Sequence, residues 1–169
     1  PVPSALRAAT TAQPQHLRAK MKLVLSAIFA LTSLAVYTQE TQKTQVSYMP
    51  KTGLPMYIFK KLDLTSFRSS LGPQRSPGQR HFADLGLKPT KLTNNLLAIE
   101  TDDWLYEVEI IRVADVNGDK LTDLEVCFRD KSKTATYNTQ EPLLLSQLEK
   151  GGQLVAIHFQ VSSCEAYAR

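Results

Sequence analysis

Residues 104–128 read WLYEVEIIRVADVNGDKLTDLEVCF. On the N-terminal side Trp104, Tyr106, Val108 and Ile110 alternate with Leu105, Glu107 and Glu109. On the C-terminal side Leu124, Val126 and Phe128 alternate with Glu125, Cys127 and Arg129. Period-two alternation predicts two half-buried strands, joined by the polar stretch 115–123. The length of that connection sets the register. A two-residue type I′ turn at Asn117-Gly118 places Val126 opposite Glu109 and Phe128 opposite Glu107. A nine-residue loop over 115–123 places Leu124 opposite Ala114, Phe128 opposite Ile110 and Val126 opposite Arg112. Opposite residues share a sheet face, so the longer loop matches the apolar faces better. A bulge at Ile110-Ile111 rescues the short turn, and both readings stay open.

Outward from the hairpin, Leu96–Ile99 reads as a strand, and 155–161 (VAIHFQV) alternates like the hairpin arms. Glu141-Pro142 to Leu148 predicts a helix with Pro142 at its first position, stopped by Gly151-Gly152. Upstream, Met56–Phe59 reads as a short strand. Asp63 caps a helix over 64–71 with Leu64, Phe67 and Leu71 as its apolar stripe, and 72–80 (GPQRSPGQR) is a loop. The expected class is α+β: a small antiparallel sheet with one or two short helices, with an all-β sandwich as the alternative. At 169 residues, with 43 % hydrophobic and 21 % charged, the chain suits one globular domain and excludes a disordered or polytopic membrane protein.

The connection carries the chemistry. Asp115, Asn117, Asp119 and Asp123 put side-chain oxygens at positions 1, 3, 5 and 9, and the carbonyl of Leu121 adds position 7. Ca²⁺ takes six to eight hard oxygen ligands, and a tight loop with alternate residues turned inward supplies them. Mg²⁺ demands stricter octahedral geometry. The alternative is a metal-free hairpin turn.

The segment 115–126 (DVNGDKLTDLEV) resembles the calcium loop of FG-GAP (integrin-type) and VCBS-like repeats, and is similar to the EF-hand-like loops of dockerins. The resemblance implies calcium held by Asp115, Asn117, Asp119 and Asp123. It covers about a dozen residues in one copy, so no multi-repeat propeller is implied. Those families place Gly at position six, where this chain has Lys120; a non-Gly residue at positive φ costs on the order of 1 kcal/mol.

The net charge of +4 invites a nucleic-acid reading, but the excess sits in the leader. Residues 1–35 hold Arg7, Arg18, Lys20 and Lys22 and no acid, so the remaining 16 basic residues balance 16 acids. A neutral body has no net field for phosphate, and no nucleic-acid partner is expected. Charge inside the body is polarised: nine basic residues against Asp63 and Asp84 in 43–91, nine acids against Arg112 and Lys120 in 100–125.

From Met21, MKLVLSAIFALTSLA has a short positive start, an apolar stretch and small residues before a cleavage point, the pattern of a secretory signal. The expected organisation is 1–20 as a non-native or upstream leader, 21–35 as signal peptide, 36–52 as flexible tail and 53–169 as the globular domain, secreted or periplasmic and monomeric, with no membrane span after signal removal. An organelle transit peptide over 1–39 and a buried helix at 22–36 are the rival readings.

In an exported chain Cys127 and Cys164 can pair; two separate thiols are the alternative. Arg80 and His81 beside the Pro/Gly loop, with Asp103, support a secreted-hydrolase reading on residue type alone. The favoured reading is an exported binding or interaction domain with one structural calcium ion and an unidentified protein or glycan ligand, more a binder than an enzyme.

Overall fold

The computed structural model describes residues 45–68 and 70–169. The leader and signal assignments at 1–35, and most of the 36–52 tail, lie outside them. Within them the chain forms one helix, α1 (Leu54–Lys61), and eight strands: β1 (Leu62–Asp63), β2 (Lys91–Leu92), β3 (Leu96–Glu100), β4 (Trp104–Ala114), β5 (Asp123–Ser132), β6 (Asn138–Ser146), β7 (Leu154–His158) and β8 (Tyr167–Ala168). All eight belong to one curled sheet of order β1-β7-β6-β5-β4-β3-β2, with β8 also pairing β6. The α+β expectation is therefore corrected: the fold is mostly β. The sandwich alternative also falls, because its second sheet is missing among the described residues.

Two short apolar runs exchanged identities. Leu54–Lys61, expected as a strand at 56–59, is helical. It has Pro55 at its start, Lys60 and Lys61 in its last turn, and Gly53 at φ 69° leading in, an arrangement favoured at helix ends. Burying Ile58 and Phe59 fixes α1 on the sheet. Conversely 141–148, expected as a helix, runs extended in β6, where Leu143, Leu144 and Leu145 are all buried. A strand covered on both faces shows no alternation and reads like a helix segment. Pro142 is tolerated because β6 changes partner there. Thr139 and Gln140 pair with β8, and Leu143–Ser146 pair with β7, so the missing N–H falls in the gap.

The helix expected at 64–71 shrinks to a 3₁₀ turn, Leu64–Ser66, with the Asp63 carboxylate accepting from Thr65 N–H at 3.0 Å. Its predicted apolar stripe is still buried: Leu64, Phe67 and Leu71. The fold also reaches further back than Gly53, since Val46 bridges Leu121 and Met49 enters the core.

The central hairpin takes a register between the two expected ones. Ala114 pairs with Asp123 and Val113 with Leu124; a bulge at Ile111 then shifts the ladder so that Ile110 meets Val126, Val108 meets Phe128 and Tyr106 meets Asp130. Apolar residues thus face apolar residues down to Asp130. Leu124, Val126 and Phe128 are fully buried under α1, the Leu64–Phe67 segment and Phe82. Truncating Phe128 there would cost about 3–5 kcal/mol. The opposite face of the hairpin is polar. Arg112 donates twice to Glu125, each at 2.9 Å, and Arg129 pairs with Glu107 and donates to Gln140 at 3.1 Å. On that face Cys127 forms a disulfide with Cys164 across 37 residues, worth about 4 kcal/mol in the chain-entropy account.

Candidate metal centre

The β4–β5 connection runs from Asp115 to Thr122, and its N–H groups turn inward onto carboxylates. Asp115 accepts from Gly118 N–H at 2.8 Å through one oxygen and from Lys120 N–H at 3.0 Å through the other. Asp119 accepts from Leu121 N–H at 2.7 Å and from the Asn117 amide at 3.0 Å, while Asn117 accepts from Asp119 N–H at 3.0 Å. Asp123, the first residue of β5, accepts from Val116 N–H at 3.2 Å through Oδ2. This wiring folds the loop back on itself and requires Lys120 to adopt φ 71°, a left-handed conformation that a side chain with Cβ resists.

The consequence is a convergence of charge. Asp115, Asp119 and Asp123 each bring a carboxylate oxygen within 4.8 Å of the other two, and the three together could hold a metal ion. At that distance two full negative charges repel by about 3 kcal/mol at an effective dielectric near 20. The ring of inward N–H groups offsets part of this. Asp123 is fully buried, and its Oδ1 finds no hydrogen-bond partner among the described residues. A buried unpaired carboxylate oxygen is costly, and a bound cation would relieve it and the repulsion together.

Of the five expected ligands, the structure thus gathers the three aspartates. Asn117 is engaged with Asp119 at the exposed rim. Leu121 is held from outside the loop: Val46 N–H donates to the Lys120 carbonyl and Thr122 N–H donates to the Val46 carbonyl, each at 2.9 Å. The N-terminal segment therefore clamps the position-7 residue, a contact with no periodic signal in the sequence.

The residues of the hydrolase reading are engaged elsewhere. Arg80 is ion-paired with Asp63. Burial pushes the Asp63 carboxyl up, but hydrogen bonds from Arg80 and Thr65 and the Arg80 charge outweigh it and hold it below its ordinary value. His81 contacts Asp84 at 2.9 Å and Gln153 at 2.6 Å. Asp103 lies in the β3–β4 turn, its carbonyl accepting from Lys133 N–H at 2.7 Å. These pairings tie the 80–84 segment to β1 and the 151–153 turn, and none of them joins Asp103 to His81 or Arg80.

A further buried aspartate lies outside the candidate residues that the sequence offers. Asp130, near the far end of β5, is 2 % exposed. Its Oδ2 accepts from Gly72 N–H at 2.8 Å and from Tyr137 O–H at 3.4 Å, and its Oδ1 has no partner. Burial pushes its carboxyl up, against those two hydrogen bonds. The available signal was parity: Asp130 continues the inward series Leu124, Val126, Phe128.

Among the described residues no helix is long and apolar enough to cross a membrane. Comparison of the chain with family models, curated proteins and solved structures finds no match.

Proposed function

We propose that the chain is an exported binding or interaction domain whose central hairpin is stapled by one structural calcium ion. The observation that carries the ion is the orphan Oδ1 of buried Asp123, set beside the carboxylates of Asp115 and Asp119. An all-oxygen set on a flexible loop favours Ca²⁺ over Zn²⁺, which prefers nitrogen and sulfur, and over Mg²⁺, which demands strict octahedral order. Asn117, as the resemblance to FG-GAP and dockerin loops implies, and the Leu121 carbonyl at position 7 complete the shell in this reading. Export draws support from the signal-like run 21–35 and from the Cys127–Cys164 disulfide, which suits an oxidising compartment.

The ion's role is mechanical. It offsets the repulsion among three converging carboxylates and so fixes where β5, the strand at the middle of the sheet, begins. Calcium at a hundredfold excess over its dissociation constant should stabilise the fold by about 2.7 kcal/mol, read as a rise in melting temperature over a chelated sample. Asp119→Ala should remove the rise. Identical melting with calcium and with chelator would refute the proposal.

A further inference from the structure

At the opposite end of β5 from the metal loop lies a cavity of about 890 Å³, within the size range of ligand sites. Its walls include Trp104, Tyr106 and Tyr137; its charged lining consists of Asp130 and Arg75; Gln74 adds a carboxamide. The Trp104 and Tyr106 rings are parallel within 5° at 6.2 Å, because alternate residues of β4 project to one face. Tyr137 meets Trp104 edge-on at 5.5 Å. The result is an aromatic wall, Trp104 and Tyr106 parallel and Tyr137 edge-on, beside a buried carboxylate whose Oδ1 lacks a hydrogen-bond partner.

Charge narrows the occupant. An ammonium ligand would find Asp130 and the aromatic faces but would also meet the Arg75 guanidinium. A carboxylate or phosphate would find Arg75 but meet Asp130. Among the described residues, the one hydrogen bond of the Arg75 side chain is a 3.4 Å contact to the Pro73 carbonyl, so its donors are largely uncommitted. A neutral molecule with adjacent hydroxyls satisfies both at once: one hydroxyl donates to Asp130, another accepts from Arg75, and the C–H face of its ring lies on the indole. We infer that this cleft binds a neutral oligosaccharide. The inference deepens the reading of the chain as a binding domain and does not depend on the ion.

Trp104 is the one tryptophan of the chain, so its emission reports on this wall alone. The disulfide-bonded protein would be titrated with maltohexaose, cellohexaose and chitohexaose, and separately with tetramethylammonium chloride. The expected result is a saturable change in Trp104 emission with at least one hexasaccharide. Arg75→Ala and Asp130→Asn should each weaken it by about tenfold or more, the loss of one hydrogen bond to a charged group, with far-UV circular dichroism unchanged. Silence with all three sugars at millimolar concentration would overturn the inference. So would a response to tetramethylammonium alone, or sugar binding that survives in both variants. Calcium-dependent melting is read separately, so either proposal can fail without the other.

Discussion

The two ends of β5 present the same problem and answer it differently. Asp123 and Asp130 are both buried, and each leaves Oδ1 without a hydrogen bond while Oδ2 is held by a backbone N–H. Around Asp123 stand two more carboxylates; around Asp130 stand tyrosines, a tryptophan and, across the cavity, an arginine. The first setting concentrates negative charge and calls for a cation. The second balances charge and calls for a neutral donor. An orphan oxygen leaves a place for a partner, and its neighbours set which partner would fit.

The comparison is broken most forcefully at Asp123. Asp123→Asn should lose the calcium-dependent stabilisation of about 2.7 kcal/mol. In chelator the same variant should melt higher than the parent chain, because a buried unpaired charge and two repulsions are gone. Thermal melts in calcium and in chelator would show the curves crossing; a variant less stable in both would mean that the carboxylate is needed for packing rather than for an ion.

Asp130→Asn sharpens the other side. The amide retains an acceptor for Gly72 N–H and removes the buried charge, so stability at neutral pH should rise by about 1 kcal/mol. The pH dependence follows from the raised carboxyl. The folded chain holds that proton more tightly than the unfolded chain. Its contribution is therefore fully present below the unfolded value near 3.8 and is lost as pH rises through the folded value. Denaturant melts across that range should show the variant's advantage growing with pH. Asp63 has the opposite sign: held low, it contributes above 3.8 and loses that contribution as pH falls, and this arm should be the same in both proteins.

The smallest effect is expected at Lys120. Gly tolerates φ 71° without the roughly 1 kcal/mol penalty of a Cβ, but it also loosens the unfolded chain. Lys120→Gly should therefore change stability by less than about 1 kcal/mol in chelator, while calcium binding tightens a few-fold as one local positive charge leaves. Isothermal titration would separate the two; weaker binding in the variant would mean that Lys120 itself supports the site.

The hairpin was legible because half-buried strands write their two faces into the sequence. Tyr106, Val108, Leu124, Val126 and Phe128 went where parity sent them. Register was only partly legible: the bulge lies at Ile111, within the Ile110-Ile111 pair where the sequence allows one, but nothing in the loop itself sets the pairing of Ala114 with Asp123. β6 and α1 were misread for one reason: a run of four or five apolar residues carries no period, so tertiary contacts decide its conformation. In the β4–β5 connection, oxygen spacing foretold which aspartates converge, but the Val46 clamp joins residues far apart in the chain. The Asp130 cleft was illegible for a similar cause, being assembled from residues 70–75, Leu85 and Leu87, Thr101, β4, β5 and Tyr137, pieces that only folding brings together.

The bridge between Val46 and Leu121 has a mechanical corollary. The polypeptide coming in from the N-terminal side is spliced onto Lys120 and Thr122 by two backbone hydrogen bonds before it reaches α1. Tension arriving along that incoming segment is delivered to the loop, ahead of the hydrophobic interior. The domain is built like a strap with its buckle at Leu121, and an ion seated beneath that buckle would set how hard the strap can be pulled before it slips.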